Sequence, residues 1–201
     1  MKKILSIIAA ISLFNSFSAK AQEDKIFGGL KIAPNFSIIT DEVNDDWKTG
    51  IGYSIGYYEV LELANKLNLQ AEILLTKTTF VQDLKDGEYS SKTTRTSSNL
   101  NIPIMAKYRL TEEFAVGLGY QFSAGILMDP KLKEKVKDSG PGYSSETKSE
   151  SEGIKNNGFF FDASYTKGKS IFGLRLLSPK MKQVQDYNTI NASFYFGYKL
   201  F

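Results

Sequence analysis

The 201-residue sequence contains no cysteine and no histidine. An exported chain is allowed disulfides, but this one has none to form. The missing histidine removes the commonest general base, the usual zinc ligand, and the Ser-His and Cys-His nucleophile pairs. What remains for catalysis is a Ser-Lys or Asp-Asp pair, and no motif of either kind stands out, so an enzyme is the poorer reading. Long apolar runs are lacking as well. Beyond the first 21 residues none approaches the about 20 residues that a membrane helix needs. A chain like this crosses a bilayer only as a closed barrel, in which no strand edge is left bare in lipid.

The N-terminus is of a different kind. Lys2 and Lys3 precede an apolar stretch from Ile4 to Phe14, and Ala19-Lys20-Ala21 forms a small-x-small cleavage site. Basic start, short apolar core and small residues are the parts of a secretory signal, too short to serve as an anchor. The expected organisation is therefore a cleaved signal peptide over 1–21 and one domain over 22–201, beginning at Gln22. Cleavage removes Lys2, Lys3 and Lys20 and no acid, so 25 basic residues fall to 22 against 22 acidic ones. A neutral mature chain gives no electrostatic reason to expect nucleic acid as a partner.

Period-two alternation recurs about eight times along residues 26–200, as half-buried strands require. LNIPIMAKYRL (100–110) puts Leu100, Ile102, Ile104, Ala106 and Tyr108 on one face and Asn101, Pro103, Met105 and Lys107 on the other. LNLQAEILL (67–75) sets Glu72 opposite its leucines, and the fifth strand alternates large apolar residues with Ala115, Gly117, Gly119, Gln121 and Ser123. Glycine is poor in an ordinary strand, but it makes room for side chains inside a narrow lumen. The connections alternate too: 39–49, 81–97, 129–156 and 179–188 are long, whereas 62–66, 111–113 and 167–169 are tight. Short periplasmic turns and longer external loops are the habit of membrane barrels. The sequence thus predicts an all-β, eight-stranded antiparallel up-and-down transmembrane barrel, its polar faces inside and its apolar faces toward outer-membrane lipid.

That topology carries residue-level expectations. Glu72, Lys107, Asp162 and Arg175 fall on polar faces at similar depth, four or five residues up from the periplasmic ends. They are expected to form a charge-balanced lumen network, with Asp162 and Arg175 diagonal neighbours and Glu72 and Lys107 within reach of each other. Tyr57, Tyr108, Tyr165 and Tyr198 each close a downward strand on its apolar face, the position of a periplasmic aromatic girdle. Asp86-Gly87 is a hairpin-turn dipeptide, so the third and fourth strands continue outside as a ribbon. The loop 129–156 holds six lysines and six acids around Gly140-Pro141-Gly142 and reads as flexible and self-neutralising, either a spacer or a contact surface. DEVNDD (41–46) offers oxygen ligands without the spacing of a calcium loop, and no cofactor is expected. Pro34 and Pro103 fit a closed sheet only if a local bulge accommodates each.

LNLQAEILL (67–75), NIPIMAKYRL (101–110), the glycine-aromatic VGLGYQFSAG (116–125) and the signal ending in AKAQ together resemble the PorT-like outer-membrane β-barrel family of the Bacteroidetes type. The resemblance implies insertion in an outer membrane and points weakly to secretion-associated roles. The C-terminus NASFYFGYKLF resembles a barrel-assembly signal, which implies the barrel-assembly machinery as a partner; terminal Phe201 is one residue out of phase with Phe194, Phe196 and Tyr198. Two functions stand at this point. One is a non-enzymatic barrel with a filled lumen, serving structure or surface interaction through the loops 81–97 and 129–156. The other is a soluble periplasmic lipocalin-like barrel that turns its apolar faces inward around a ligand and leaves Lys107 and Glu72 in solvent.

Overall fold

The structure is a computed structural model and describes residues 26–39, 47–123, 131–152, 157–179 and 189–201. The signal segment and the acidic run 41–46 lie outside the described residues. Among the described residues there are ten strands: β1 (Ile26–Ile39), β2 (Trp47–Ala64), β3 (Leu67–Asp86), β4 (Tyr89–Arg109), β5 (Phe114–Ser123), β6 (Lys131–Gly140), β7 (Tyr143–Glu152), β8 (Gly158–Lys167), β9 (Ser170–Pro179) and β10 (Thr189–Lys199). Eight of them close a ring in the order β1-β2-β3-β4-β5-β8-β9-β10, with β10 returning to pair antiparallel with β1. Past the end of β10, backbone bonds to Gly28 carry the closure on to Leu200 and Phe201.

Alternation sets the two faces of the ring, and the apolar face points outward. Leu30, Ile55, Leu75, Leu118, Phe159 and Phe196 are exposed, whereas Lys31, Glu72, Asn101, Lys107, Asp162 and Arg175 are buried. Lys107 is 5% exposed and Glu72 1%. The soluble reading needed both in solvent, and the structure overturns it. Three tight connections share one end of the barrel: Asn65-Lys66, Leu110 to Glu113, and Gly168-Lys169. In the second, the Thr111 hydroxyl accepts from the Phe114 backbone N–H at 2.9 Å. In the third, Gly168 has φ +58, the left-handed geometry that glycine adopts without strain.

At the opposite end the chain departs from the expected loops. β3 and β4 run on past the barrel as a ribbon that turns at Gly87, φ +60. The segment read as a flexible loop is built mostly as a second hairpin, β6–β7, turning through Pro141-Gly142. β6 pairs with the outer half of β4, from Ser98↔Lys131 to Ser90↔Ser139, while the inner half of β4 pairs with β5. β4 therefore changes partner midway, and a four-stranded wall β3-β4-β6-β7 rises from one side of the barrel mouth.

The prolines are accommodated differently from the expected bulges. Register between β1 and β10 is constant across Pro34, but the ladder lapses at Ala33 and Pro34 between the pairs Ile32↔Phe196 and Asn35↔Ser193. The β3–β4 ladder lapses in the same way at Ile102 and Pro103, between Ile104↔Ala71 and Asn101↔Leu74. A missing N–H is thus met by leaving out bonds to one neighbour while the other ladder stays complete at that point. The register shifts that do occur lie between β2 and β3, at Lys48/Ile51 and Glu62/Ala64.

Candidate functional site

Inside the ring, glycines on the inward phase open the space that large side chains fill. A Cβ at Gly173 would collide with the ring of Tyr195, and one at Gly119 would lie 2.6 Å from Met105 Cβ. Two apolar clusters result: Ala33, Tyr58, Val60, Ile171 and Tyr195 form one, and Met105, Phe160 and Leu177 the other. Between these residues lie the charges.

Asp162 and Arg175 are direct rung partners on β8 and β9, closer than the diagonal placement expected. Arg175 Nε donates to Asp162 Oδ2 at 3.0 Å. The same guanidinium crosses the lumen to β3, diametrically opposite in the ring, where Nη1 and Nη2 donate to the Glu72 carboxylate at 2.9 and 2.8 Å. That fork-on-fork contact is the strong form of the Arg–carboxylate pair. Lys31 on β1 binds Glu72 from another side, at 3.0 Å. Gln70 Nε2 adds a bond to Glu72 Oε1 at 2.6 Å. Lys107 pairs with Asp162 Oδ1 at 3.1 Å, and the Tyr195 hydroxyl donates to that same oxygen at 2.8 Å. Lys31 Nζ also stands 3.6 Å from the centroid of the Tyr195 ring.

All four expected network residues therefore meet in one cluster, but the pairing differs from that expected. Glu72 is held by Arg175 and Lys31, and Lys107 goes to Asp162. The cluster also holds three cations (Lys31, Lys107, Arg175) and two anions, so it is not balanced by formal charge. Lys31 and Tyr195 were missed. For Lys31 the signal was available: it lies on the polar phase five residues up from Ile26, the depth that selected Glu72. Tyr195 sits on the polar phase of the last strand, where an aromatic ring with a hydroxyl points to a buried partner.

Toward the external end, a chain of bonds links β1 to β5. Asn35 donates to Ser54, Ser54 bonds Thr76, Asn101 donates to Thr76, and Ser123 donates to Asn101, all between 2.7 and 3.1 Å. A void of about 30 Å³ remains beside this chain, and one of about 80 Å³ lies toward the tight-turn end. They share no lining residue.

The tyrosines are placed unevenly. Tyr108, Tyr165 and Tyr198 stand within two residues of the ends of β4, β8 and β10, whereas Tyr57 is seven residues short of the end of β2, which runs on to Ala64. The Tyr57 hydroxyl nevertheless reaches over Gly28, near the start of β1. Asp86 and Gly87 form the tip of the β3–β4 ribbon.

A closed ring with apolar residues outside and a buried charge cluster inside defines a transmembrane β-barrel, which lies in an outer membrane. The sequence profile of the family described as outer membrane protein beta-barrel domain matches residues 18–199, and the chain belongs to that family. No curated protein matches the sequence. Among solved structures, the chain is similar to the attachment invasion locus protein Ail of Yersinia pestis, at 11% identity and TM-score 0.43, covering 88% of this chain and 98% of that one. It is similar also to Neisserial surface protein A, at 11% identity and TM-score 0.36, covering 87% and 97%. The toluene transporter TodX of P. putida follows at 9% identity and TM-score 0.34, covering 88% of this chain and 68% of that one.

Proposed function

We propose that the protein is a non-enzymatic, non-conducting outer-membrane barrel that holds a rigid β-wall outside the cell for contact with a surface partner. The observation that carries this reading is the braced lumen. Arg175 spans it from β9 to β3, and the voids on either side of the cluster share no lining residue. An eight-stranded interior is just wide enough for side chains to fill, and here they fill it. What is left for function is the wall β3-β4-β6-β7. On this reading residues 1–21 direct export and are cleaved before Gln22, and the C-terminal strand is presented to the barrel-assembly machinery. A secretion-associated role rests on the resemblance to PorT-like barrels alone.

Planar-bilayer recording on the purified, refolded protein tests the first half, with no stepwise conductance expected. Steady ion-conducting steps would overturn the closed-lumen reading. Protease added to whole cells tests the second half. It should cut at the Pro141-Gly142 turn and leave a heat-modifiable barrel, whereas protection of that turn would count against an external wall.

A further inference from the structure

The wall ends in two tips whose residues differ from the rest of it. Asp86 faces Tyr89, and Gly140 faces Tyr143. The rung below joins Ser90 to Ser139, with their hydroxyls 2.7 Å apart. Continuing that register sets Tyr89 beside Gly140. Asp86, Tyr89, Gly140 and Tyr143 thus share one rung and one face, with Asp138 two residues nearer the barrel on the same face. A Cβ at Gly140 would lie 2.6 Å from two carbons of the Tyr89 ring, so that ring leans over the glycine. Both rings stay open to solvent: Tyr89 is 65% exposed and Tyr143 57%. Between the tips lies a cleft of about 410 Å³, lined by Leu84, Lys85, Asp86, Tyr89, Asp138 and Tyr143 among others. That volume falls in the range of about 300–1,000 Å³ usual for small-molecule sites.

Ordinary explanations do not cover these tyrosines. They fill no core. They are no membrane anchors either, because ten residues, about 30 Å of strand, separate Leu75 at the end of the β3 apolar stretch from the tip at Asp86. The chemistry around them is selective. An exposed aromatic ring offers a surface on which the C–H face of a sugar stacks. Ionised carboxylates are acceptors only and suit a ligand rich in hydroxyl donors. Among the described residues Asp86 and Asp138 make no ion pair, while Lys135, Lys137 and Lys148 converge on Glu146. Asp86 and Asp138 outnumber Lys85, the one cation of the lining, so the cleft also disfavours a polyanion.

We propose that this cleft binds a neutral saccharide, with Tyr89 and Tyr143 stacking on its ring faces and Asp86 and Asp138 accepting from its hydroxyls. The inference rests on the surface-contact reading and gives it a ligand class. The test uses the full barrel folded in a detergent without a sugar headgroup, titrated calorimetrically with maltoheptaose, cellohexaose and dextran sulfate. Saturable binding of a neutral glucan is expected, weakened tenfold or more by Tyr89→Ala and by Tyr143→Ala. Tyr89→Trp should retain it, and all variants should keep the heat-modifiable migration that reports a folded barrel. Competition by lipopolysaccharide of the producing cell would assign the saccharide to the same membrane, and lack of competition to another surface. Failure of both glucans to bind, binding that survives both alanine variants, or preference for dextran sulfate would overturn the proposal. Should the tips prove protease-accessible on cells while no glucan binds, the saccharide inference fails and the surface reading stands. Protected tips would remove the surface reading itself.

Discussion

Two charge clusters in this molecule share their distances and differ in everything else. In the lumen, Glu72 is met by Arg175 at 2.8 Å and Lys31 at 3.0 Å, with side chains at most 5% exposed. On the outer hairpin, Glu146 is met by Lys135 at 2.9 Å and Lys148 at 3.0 Å, with side chains 36–70% exposed. A list of ion pairs would score them alike. Water separates them, because it screens the outer cluster and offers every member an alternative partner. In the lumen burial removes that alternative, and the charges are held by one another, with Gln70 and Tyr195 as neutral donors. The outer pairs help set which strands lie side by side, and the inner ones decide whether the barrel stands.

The sharpest way to break the comparison is to remove one acid from each cluster. Glu72→Ala strands Lys31 and one arm of Arg175 and should destabilise the barrel by about 3–5 kcal/mol, read from urea unfolding in lipid vesicles. Unfolding at the wild-type urea concentration would show that the lumen is wetter than the brace implies. Tyr195→Phe is a smaller cut, since Asp162 keeps Lys107 and Arg175 but loses one donor. It should cost about 1–3 kcal/mol in the same assay. Glu146→Gln, at the other pole, should leave barrel unfolding unchanged.

The outer cluster instead reveals itself by titration. Hydrogen bonds from Lys135 and Lys148 pull the Glu146 carboxyl from 4.5 down to about 2. A carboxylate lowered in the folded state contributes stability above its ordinary pKa and loses it as pH falls through the folded value. The hairpin pairs should therefore persist at pH 4.5 and dissolve near pH 2, followed by the carboxyl NMR shift of Glu146. Added salt should move that midpoint back up. A low-salt midpoint at 4.5 would mean that the three lysines do not converge on this residue in solution.

Much of the barrel was legible because lipid and lumen impose opposite demands on alternate residues. Lys107 among Ile104, Ala106 and Tyr108 has only one phase open to it, and the structure puts it there. Depth was legible as well, by counting from the tight turns, which is why Glu72, Lys107, Asp162 and Arg175 meet. Pairing was not, because it depends on the stagger of strands around the ring, and stagger leaves no trace in a single strand. Tyr57 stands farther from its strand end than expected for a simpler cause, since β2 continues through Leu61 and Leu63 to Ala64. The hairpin β6–β7 escaped notice because KLKEKVKDSG has no apolar face for water or lipid to select. Its strands are specified across the rungs, by pairs such as Lys137↔Glu146, and such pairs show only once both strands are known.

The change of partner along β4 has a mechanical consequence. β3 and β4 run unbroken for 20 and 21 residues from the tight-turn end of the barrel to the tips. Antiparallel ladder bonds lie across the strands. A pull on the β3–β4 tip along the strand direction therefore loads the β2–β3 and β4–β5 ladders together, in shear, with the rest of the barrel wall as footing. A sideways pull on β7 meets the ladder one rung at a time and peels it. The wall resists a load along its strands and yields to one applied across its open side.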